Sequence, residues 1–140
     1  MVGVIDGDTL DILDDSRKKW RVRLAGIDAP ERKQPFGNAS RQHLASGIFN
    51  KNVTVAWTKL DRYGRIIGTI MLGGADVNLA QISAGMAWVY RKYLNELPVE
   101  TRGEYLSAEA EAQSARRGLW SRPSAVPPWD WRRPRRGDEP

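Results

Sequence analysis

Asp6 and Asp8 bracket a single glycine in "GVIDGDTLDI", residues 3–12, and a second acidic break, "GIDAPE", follows at residues 26–31. Asp-Gly between apolar residues is the ordinary chemistry of a tight hairpin turn, so these aspartates have a purely local reading. A second reading joins them to their neighbours. Where strand ends converge, Asp8 and Asp28 share a site, and two uncompensated carboxylates there repel and raise a pKa. A bound cation removes that repulsion. With oxygen donors only, no cysteine and one histidine in the chain, the suitable ions are hard ones: calcium, magnesium or manganese.

Three further charges complete the set. Glu31 follows Asp28 by three residues across the break at Pro30, close enough to reach the ion through water or to act as a base toward a water beside it. Arg23 projects from the polar face of "RVRL", and Arg65 emerges from the turn "DRYGR". A cation and two guanidiniums neutralise a five-coordinate phosphorus while a carboxylate handles the attacking water, which is the equipment of phosphodiester hydrolysis. Each piece alone also reads as a solvated strand residue or a hairpin turn.

The elements that must bring these residues together are legible in the pattern. "VGVI" and "TLDIL" read as strands joined at the Asp-Gly turn. "KKWRVRLAGI" alternates, with Trp20, Val22 and Leu24 on one face and Arg21 and Arg23 on the other. Pro30 ends it, lacking an N–H and pushing Ala29 out of the helical region. A helix is expected over Asn38–Phe49 with Leu44, Ile48 and Phe49 as apolar contacts, then strands "NVTVAW" and "IIGTIML". Asp76 caps a second helix that stops at Gly85, and a third runs from about Thr101 to Arg117 and ends at Gly118. Five strands with a helix between the third and fourth is the order of the OB-fold, so the expected class is α+β: a five-stranded OB-fold β-barrel with three α-helices. Residues 1–120 form that domain, and 121–140 are a Pro/Trp/Arg-rich tail.

Composition bounds the function. The chain has 140 residues, 41% hydrophobic and 28% charged, which suits one globular domain. Zero cysteines exclude disulfides, thiolate catalysis and cysteine zinc sites. No apolar run is long enough to span a bilayer, and no signal peptide precedes the first strand. Of the net charge of +5, most lies in residues 116–140, which hold seven arginines against three acids. The nearly neutral body must therefore meet a polyanion through a few placed cations rather than a broad field.

"VIDGDTL", "RVRLAGIDAPE", "DRYGR", "GMAWVYRKY" and "SAEAEAQSARRGLW" follow one another in an order and spacing that resembles the staphylococcal nuclease (thermonuclease) family. The resemblance covers the chain to about Trp120, and "PPWDWRR" is similar to the ending of bacterial members. It implies an OB-barrel with three helices that hydrolyses DNA and RNA with Ca2+, breaking the bond to the 5′ oxygen to leave 5′-hydroxyl and 3′-phosphate ends. On that resemblance Asp8 and Asp28 are the metal-binding carboxylates, and the backbone carbonyl of Ala29 is the third protein contact. Ala29 stands where the family usually has threonine, which keeps the carbonyl and loses a hydroxyl. Arg23, Glu31 and Arg65 match the catalytic positions, and Tyr90, Lys92 and Tyr93 are candidates for contact with the nucleotide. Asp6, two residues before Asp8 and of the same side-chain parity, is assigned an outer role through water.

The rival expectation is a non-catalytic module of the same family that binds nucleic acid or protein. The presence of all five charged positions favours the enzyme. His43 is expected at a surface or partly packed helix position, and Trp57 and Trp120 in the core or pinning the last helix. Trp129 and Trp131 are expected to fold back onto the barrel rather than to stack bases, and the four arginines 132, 133, 135 and 136 to add salt-sensitive affinity. A monomer exported from a bacterium, secreted or periplasmic, is the expectation from the family.

Overall fold

The computed structural model describes residues 3–122 and 125–132. Arg133, Arg135 and Arg136, for which nucleic-acid affinity is expected, lie outside the described residues. The main sheet is built from β1 (Gly3–Asp6), β2 (Thr9–Leu13), β3 (Lys19–Leu24), β5 (Thr54–Leu60) and β6 (Ile66–Leu72) in the order β1-β2-β3-β6-β5, with β7 (Ala75–Asp76) added to β6. β3 and β6 run parallel; the other pairs are antiparallel. A separate two-stranded ladder joins β4 (Ile27–Asp28) to β8 (Trp88–Val89). Three helices, α1 (Gly37–Ile48), α2 (Val77–Ser83) and α3 (Val99–Ser114), pack around this OB-like sheet. A one-turn α4 (Pro128–Trp131) lies near the end of the described chain.

The α+β class and the strand order are those read from the sequence; the finer division into β4, β7 and β8 is not. Those three pairs of residues are too short for periodicity to register. Alternation places Val22 and Leu24 of β3 in the core and leaves Arg23 half-buried at its rim. Leu10, Ile27, Leu44, Ile48, Ile70, Ile82, Val89 and Tyr105 close the same core. Each such aliphatic side chain contributes about 1.5–3 kcal/mol by leaving water, which is what holds the strands in register.

Two glycines decide how the chain turns toward the site. At Gly7 a Cβ would stand 1.8 Å from Ser40 Oγ, so the Asp6–Asp8 turn is pressed against α1. Gln81 of α2 donates to the Gly7 carbonyl at 2.8 Å and fixes that turn from below. Gly26 has φ +75°, and a Cβ there would fall 2.5 Å from Leu97 Cγ. Only glycine meets both demands, and the reversal it permits turns β3 into β4. Buried Asn78 then ties the corner together. Its Nδ2 donates to the carbonyls of Ala25 at 3.3 Å and Gly68 at 3.1 Å, while its Oδ1 accepts from Ile70 N.

Several local expectations are corrected. Trp57 is 55% exposed rather than core-filling. It pairs with Gly68 across the β5–β6 ladder just before a register shift, and lies beside the space that glycine leaves at the sheet edge. Phe49 is exposed, since α1 ends at Ile48 and Phe49 turns away as its C-cap. α3 stops at Ser114, where Arg116 takes a left-handed φ of 55° before Gly118 is reached. His43 is partly packed on α1, as expected, with its Nδ1 hydrogen-bonded to the buried Gln81 side chain.

Candidate active site

Asp8 sits between the glycine turn and β2. Its backbone carbonyl accepts from Leu24 N at 2.8 Å, while its carboxylate accepts from Ala29 N at 2.8 Å and Thr9 Oγ1 at 2.9 Å. One residue therefore joins the β1–β2 turn to both sides of the Gly26 corner. Asp28 ends β4 opposite Trp88 and is 4% exposed. Both carboxylates open into one cavity of about 490 Å³. Burial, and then the neighbouring Asp28 charge, push the Asp8 carboxyl up to about 6. Burial likewise raises Asp28, against the opposing pull of Arg132. Asp6 is half-buried in the same cavity and is raised first by burial, then by Asp8 and Glu31.

The cavity walls hold the remaining charges. Arg23 reaches it from β3 with Nη2 at 2.6 Å from each carboxylate oxygen of Glu96. Arg65 enters from the β5–β6 hairpin, its Nε held at 2.6 Å by Asp61 Oδ2. Asp61 Oδ1 also accepts from the N–H groups of Tyr63 and Arg65 at 2.9 Å each, so one side chain shapes the turn and aims the arginine. Glu31 and Asp28 share one partner, Arg132. Its Nη2 lies 2.6 Å from Asp28 Oδ2, and its Nη1 lies 2.6 Å from Glu31 Oε1 and 3.3 Å from Asp28 Oδ1.

Asp6, Asp8, Asp28, Ala29, Arg23, Glu31, Arg65, Tyr90 and Tyr93 thus line the same cavity. Lys92 does not. It lines an adjoining groove of about 650 Å³, which shares Arg23, Tyr63, Arg65 and Tyr93 with the first. The reason is the 3₁₀ turn Arg91–Glu96, which sends successive side chains in different directions. Tyr90 meets Tyr93 edge-on at 4.9 Å, and the Trp129 ring is stacked on Tyr90 at 5.1 Å with an 8° tilt.

Glu96, Tyr63, Trp129 and Arg132 belong to this cavity or touch its walls, and sequence reasoning did not assign them there. Glu96 is 73 residues from Arg23, and Arg132 is 104 from Asp28. No local spacing links such pairs. The one available signal for Arg132 was the aromatic and basic run "PPWDWRR" itself.

The donor set suits a hard cation. Two carboxylates with like charge meet in a buried pocket, and a guanidinium already stands as the positive partner of one of them. Among the described residues no group of three or more His, Cys, Asp or Glu side chains is placed to hold an ion. An ion at Asp8 and Asp28 would therefore complete its shell with backbone oxygen, water or a substrate phosphate, the habit of calcium and magnesium sites.

A profile of the staphylococcal nuclease homologue family matches residues 21–122. An Escherichia coli protein called an uncharacterized endonuclease is 44% identical over 135 residues, covering 94% of this chain and 82% of its own. Protein ParB of Escherichia coli is 44% identical over 142 residues, 95% of this chain and 77% of its own. A micrococcal nuclease of Shigella flexneri is 42% identical over 142 residues, 95% and 79% of the two chains. With a profile match across most of the chain and relatives this similar over nearly all of this chain and more than three quarters of their own, the chain belongs to the staphylococcal nuclease family and is a phosphodiester hydrolase.

Proposed function

We propose that the protein is a calcium-dependent endonuclease acting on DNA and RNA, leaving 5′-hydroxyl and 3′-phosphate ends. The observation that supports this reading is the meeting of Asp8, Asp28, Glu31, Arg23 and Arg65 around one cavity open to a phosphate. Asp8, Asp28 and the Ala29 carbonyl would hold the ion, with Asp6 acting through water. When bound, calcium supplies positive charge to the phosphate oxygens.

The chain's own groups do the rest. Glu31 orients a water for attack on phosphorus and takes its proton. The bond from phosphorus to the 5′ oxygen breaks, that oxygen takes a proton from solvent water to become the 5′-hydroxyl, and the phosphate stays on the 3′ side. Arg23 and Arg65 match the negative charge that builds on the phosphoryl oxygens, and their carboxylate partners keep them oriented before substrate arrives. Tyr90 and Tyr93 offer ring faces to a base beside the scissile bond, and Lys92 and Arg62 in the adjoining groove meet the phosphates that follow. Contacts to backbone and ring faces carry no sugar or base code, in keeping with both DNA and RNA as substrates.

No helix among the described residues is long and apolar enough to cross a membrane. We place the enzyme as a monomer secreted from, or in the periplasm of, a bacterium, on the family's habit.

The test is digestion of plasmid DNA and of RNA with calcium, magnesium or a chelator. Wild type is expected to cut both with calcium and neither with chelator. Glu31→Ala and Arg23→Ala are expected to lose about 10²–10³ in rate, the usual cost of removing preorganised charge. Full activity in the double variant sinks the mechanism, whereas no cleavage by wild type with any of these ions leaves the non-catalytic binding module.

A further inference from the structure

The end of the described chain occupies the site it would be expected to leave open. Arg132 spans Asp28 and Glu31 with three charge-assisted hydrogen bonds, two to Asp28 and one to Glu31. Those are the carboxylates assigned above to the cation and to the attacking water. Three residues earlier, Trp129 covers the face of Tyr90 at 5.1 Å and nearly parallel, the geometry of a stacked base. The same short segment therefore sets a guanidinium on two carboxylates of the cavity and packs an indole against Tyr90, one of its lining aromatics.

The segment is built to lie there. Pro128 starts α4 and is buried, and Trp129 also meets Trp88 edge-on at 6.3 Å. Gln34, three residues after Glu31, donates from Nε2 to the Val126 carbonyl. Trp131 lines a small apolar pocket with Phe36, Trp88 and Leu119. Yet the contact is also releasable, because the Arg132 side chain is 43% exposed and its pairing competes with water.

We propose that residues 125–132 form an intramolecular occupant of the active site, with Arg132 standing in for the cation and Trp129 bracing the segment against Tyr90, displaced when calcium binds. A planar guanidinium engages both oxygens of Asp28, so Arg132 and an ion at Asp28 exclude one another. The charge balance points the same way. Asp28 and Glu31 without a cation would repel, and Arg132 supplies the missing positive charge when none is bound. Calcium affinity is then reduced by the fraction of molecules in which the segment is lifted. By linkage, calcium loosens the segment to the same degree that the segment weakens calcium.

This proposal rests on the calcium-nuclease reading, and the experiment separates the two. Calcium chloride is titrated calorimetrically into the full chain, wild type against Arg132→Ala, Arg132→Lys and Trp129→Ala. For a segment closed in nine molecules of ten, Arg132→Ala is expected to tighten the calcium Kd about tenfold. Arg132→Lys, which keeps charge but loses the planar fork, falls between the two, and Trp129→Ala also tightens binding. Tryptophan emission of wild type is expected to change on calcium addition as Trp129 leaves Tyr90, and a Trp129→Phe variant to lose most of that change. Equal or weaker calcium binding by Arg132→Ala, with DNA still cut by wild type, overturns the occupant alone. So does a loss of cleavage rate by Arg132→Ala at saturating calcium, which assigns Arg132 to the reaction instead. Absence of calcium binding by both proteins overturns this proposal together with the reading beneath it.

Discussion

Glu96 grips Arg23 with both carboxylate oxygens, each 2.6 Å from the same guanidinium nitrogen, and its Oε1 also accepts from Gly26 N at 3.1 Å. The pair is mostly buried, with side chains 14% and 4% exposed. Arg23, proposed above as a catalytic arginine, and the glycine corner that leads into Asp28 thus share one carboxylate. Removing that carboxylate leaves a desolvated guanidinium and an unpaired backbone N–H. Glu96→Ala is expected to lose about 3 kcal/mol of stability, in the range for breaking one side of a buried ion pair. Urea unfolding followed by circular dichroism measures it; an unchanged midpoint removes Glu96 from any structural role.

Asp61 offers a milder version of the same logic. Burial raises its carboxyl, but hydrogen bonds from the Arg65 and Tyr63 N–H groups and the Arg65 side chain outweigh that and hold it below its usual value. Asp61→Ala keeps Arg65 but lets the turn and guanidinium wander. Its kcat is expected to fall about tenfold, against a hundredfold or more for Arg65→Ala. Steady-state cleavage of a labelled oligonucleotide distinguishes them, and an unchanged kcat in Asp61→Ala would mean that Arg65 needs no orienting partner.

Asp8 is buried beside a like charge, at a cost to stability. Its carboxyl is raised by burial and by Asp28, so its ionised form is disfavoured in the fold. An amide at that position can still accept from Ala29 N and donate to Thr9 Oγ1. Without calcium at neutral pH, Asp8→Asn is therefore expected to be more stable than wild type by on the order of 1–2 kcal/mol, while its calcium affinity collapses. Thermal melts in chelator and in calcium give both readouts. A variant that melts lower in chelator contradicts the repulsion.

Far from the site, Asp14 is one of the carboxylates that contribute to stability on the acid side. Its carboxylate accepts from the Trp20 indole at 3.0 Å, from Ser16 Oγ at 2.7 Å, and from the N–H groups of Lys18 and Ser16 at 2.9 Å each. These bonds, led by the indole and the hydroxyl, hold its pKa down to about 2, below the ordinary 3.8. The folded state thus binds the proton less readily than the unfolded chain. Asp14 stabilises the fold fully above about pH 4, and that contribution disappears as pH falls toward 2. Asp14→Asn is expected to narrow the stability difference between pH 5 and pH 2.5. An acid unfolding series that superimposes on wild type after correction for midpoint would refute the assignment.

The long alternating strands were readable because a side-chain period of two is written locally. "RVRL" put Val22 and Leu24 in the core and Arg23 on the rim, and "IIGTIML" is β6 residue for residue. Asp76 was readable as a helix cap for the same reason, and its side chain accepts from Leu79 N at 2.9 Å. Trp57 misled because its parity with Val55 was right but its place on the strand lay past the core, beside Gly68 and a register shift. Parity tells which face a residue takes, not how far the core extends beneath it.

By itself the chain determined which residues could do chemistry: Asp8, Asp28, Glu31, Arg23 and Arg65 stand at turns and strand ends, where backbone pattern and residue type are both local. Tertiary structure alone decided what each of them touches. Glu96 reaches Arg23, and Arg132 reaches Asp28 and Glu31, across intervals of 73 residues or more that no periodicity spans. Such partners are chosen by the folding of distant segments into one volume, where a buried charge must find its opposite or remain unpaired.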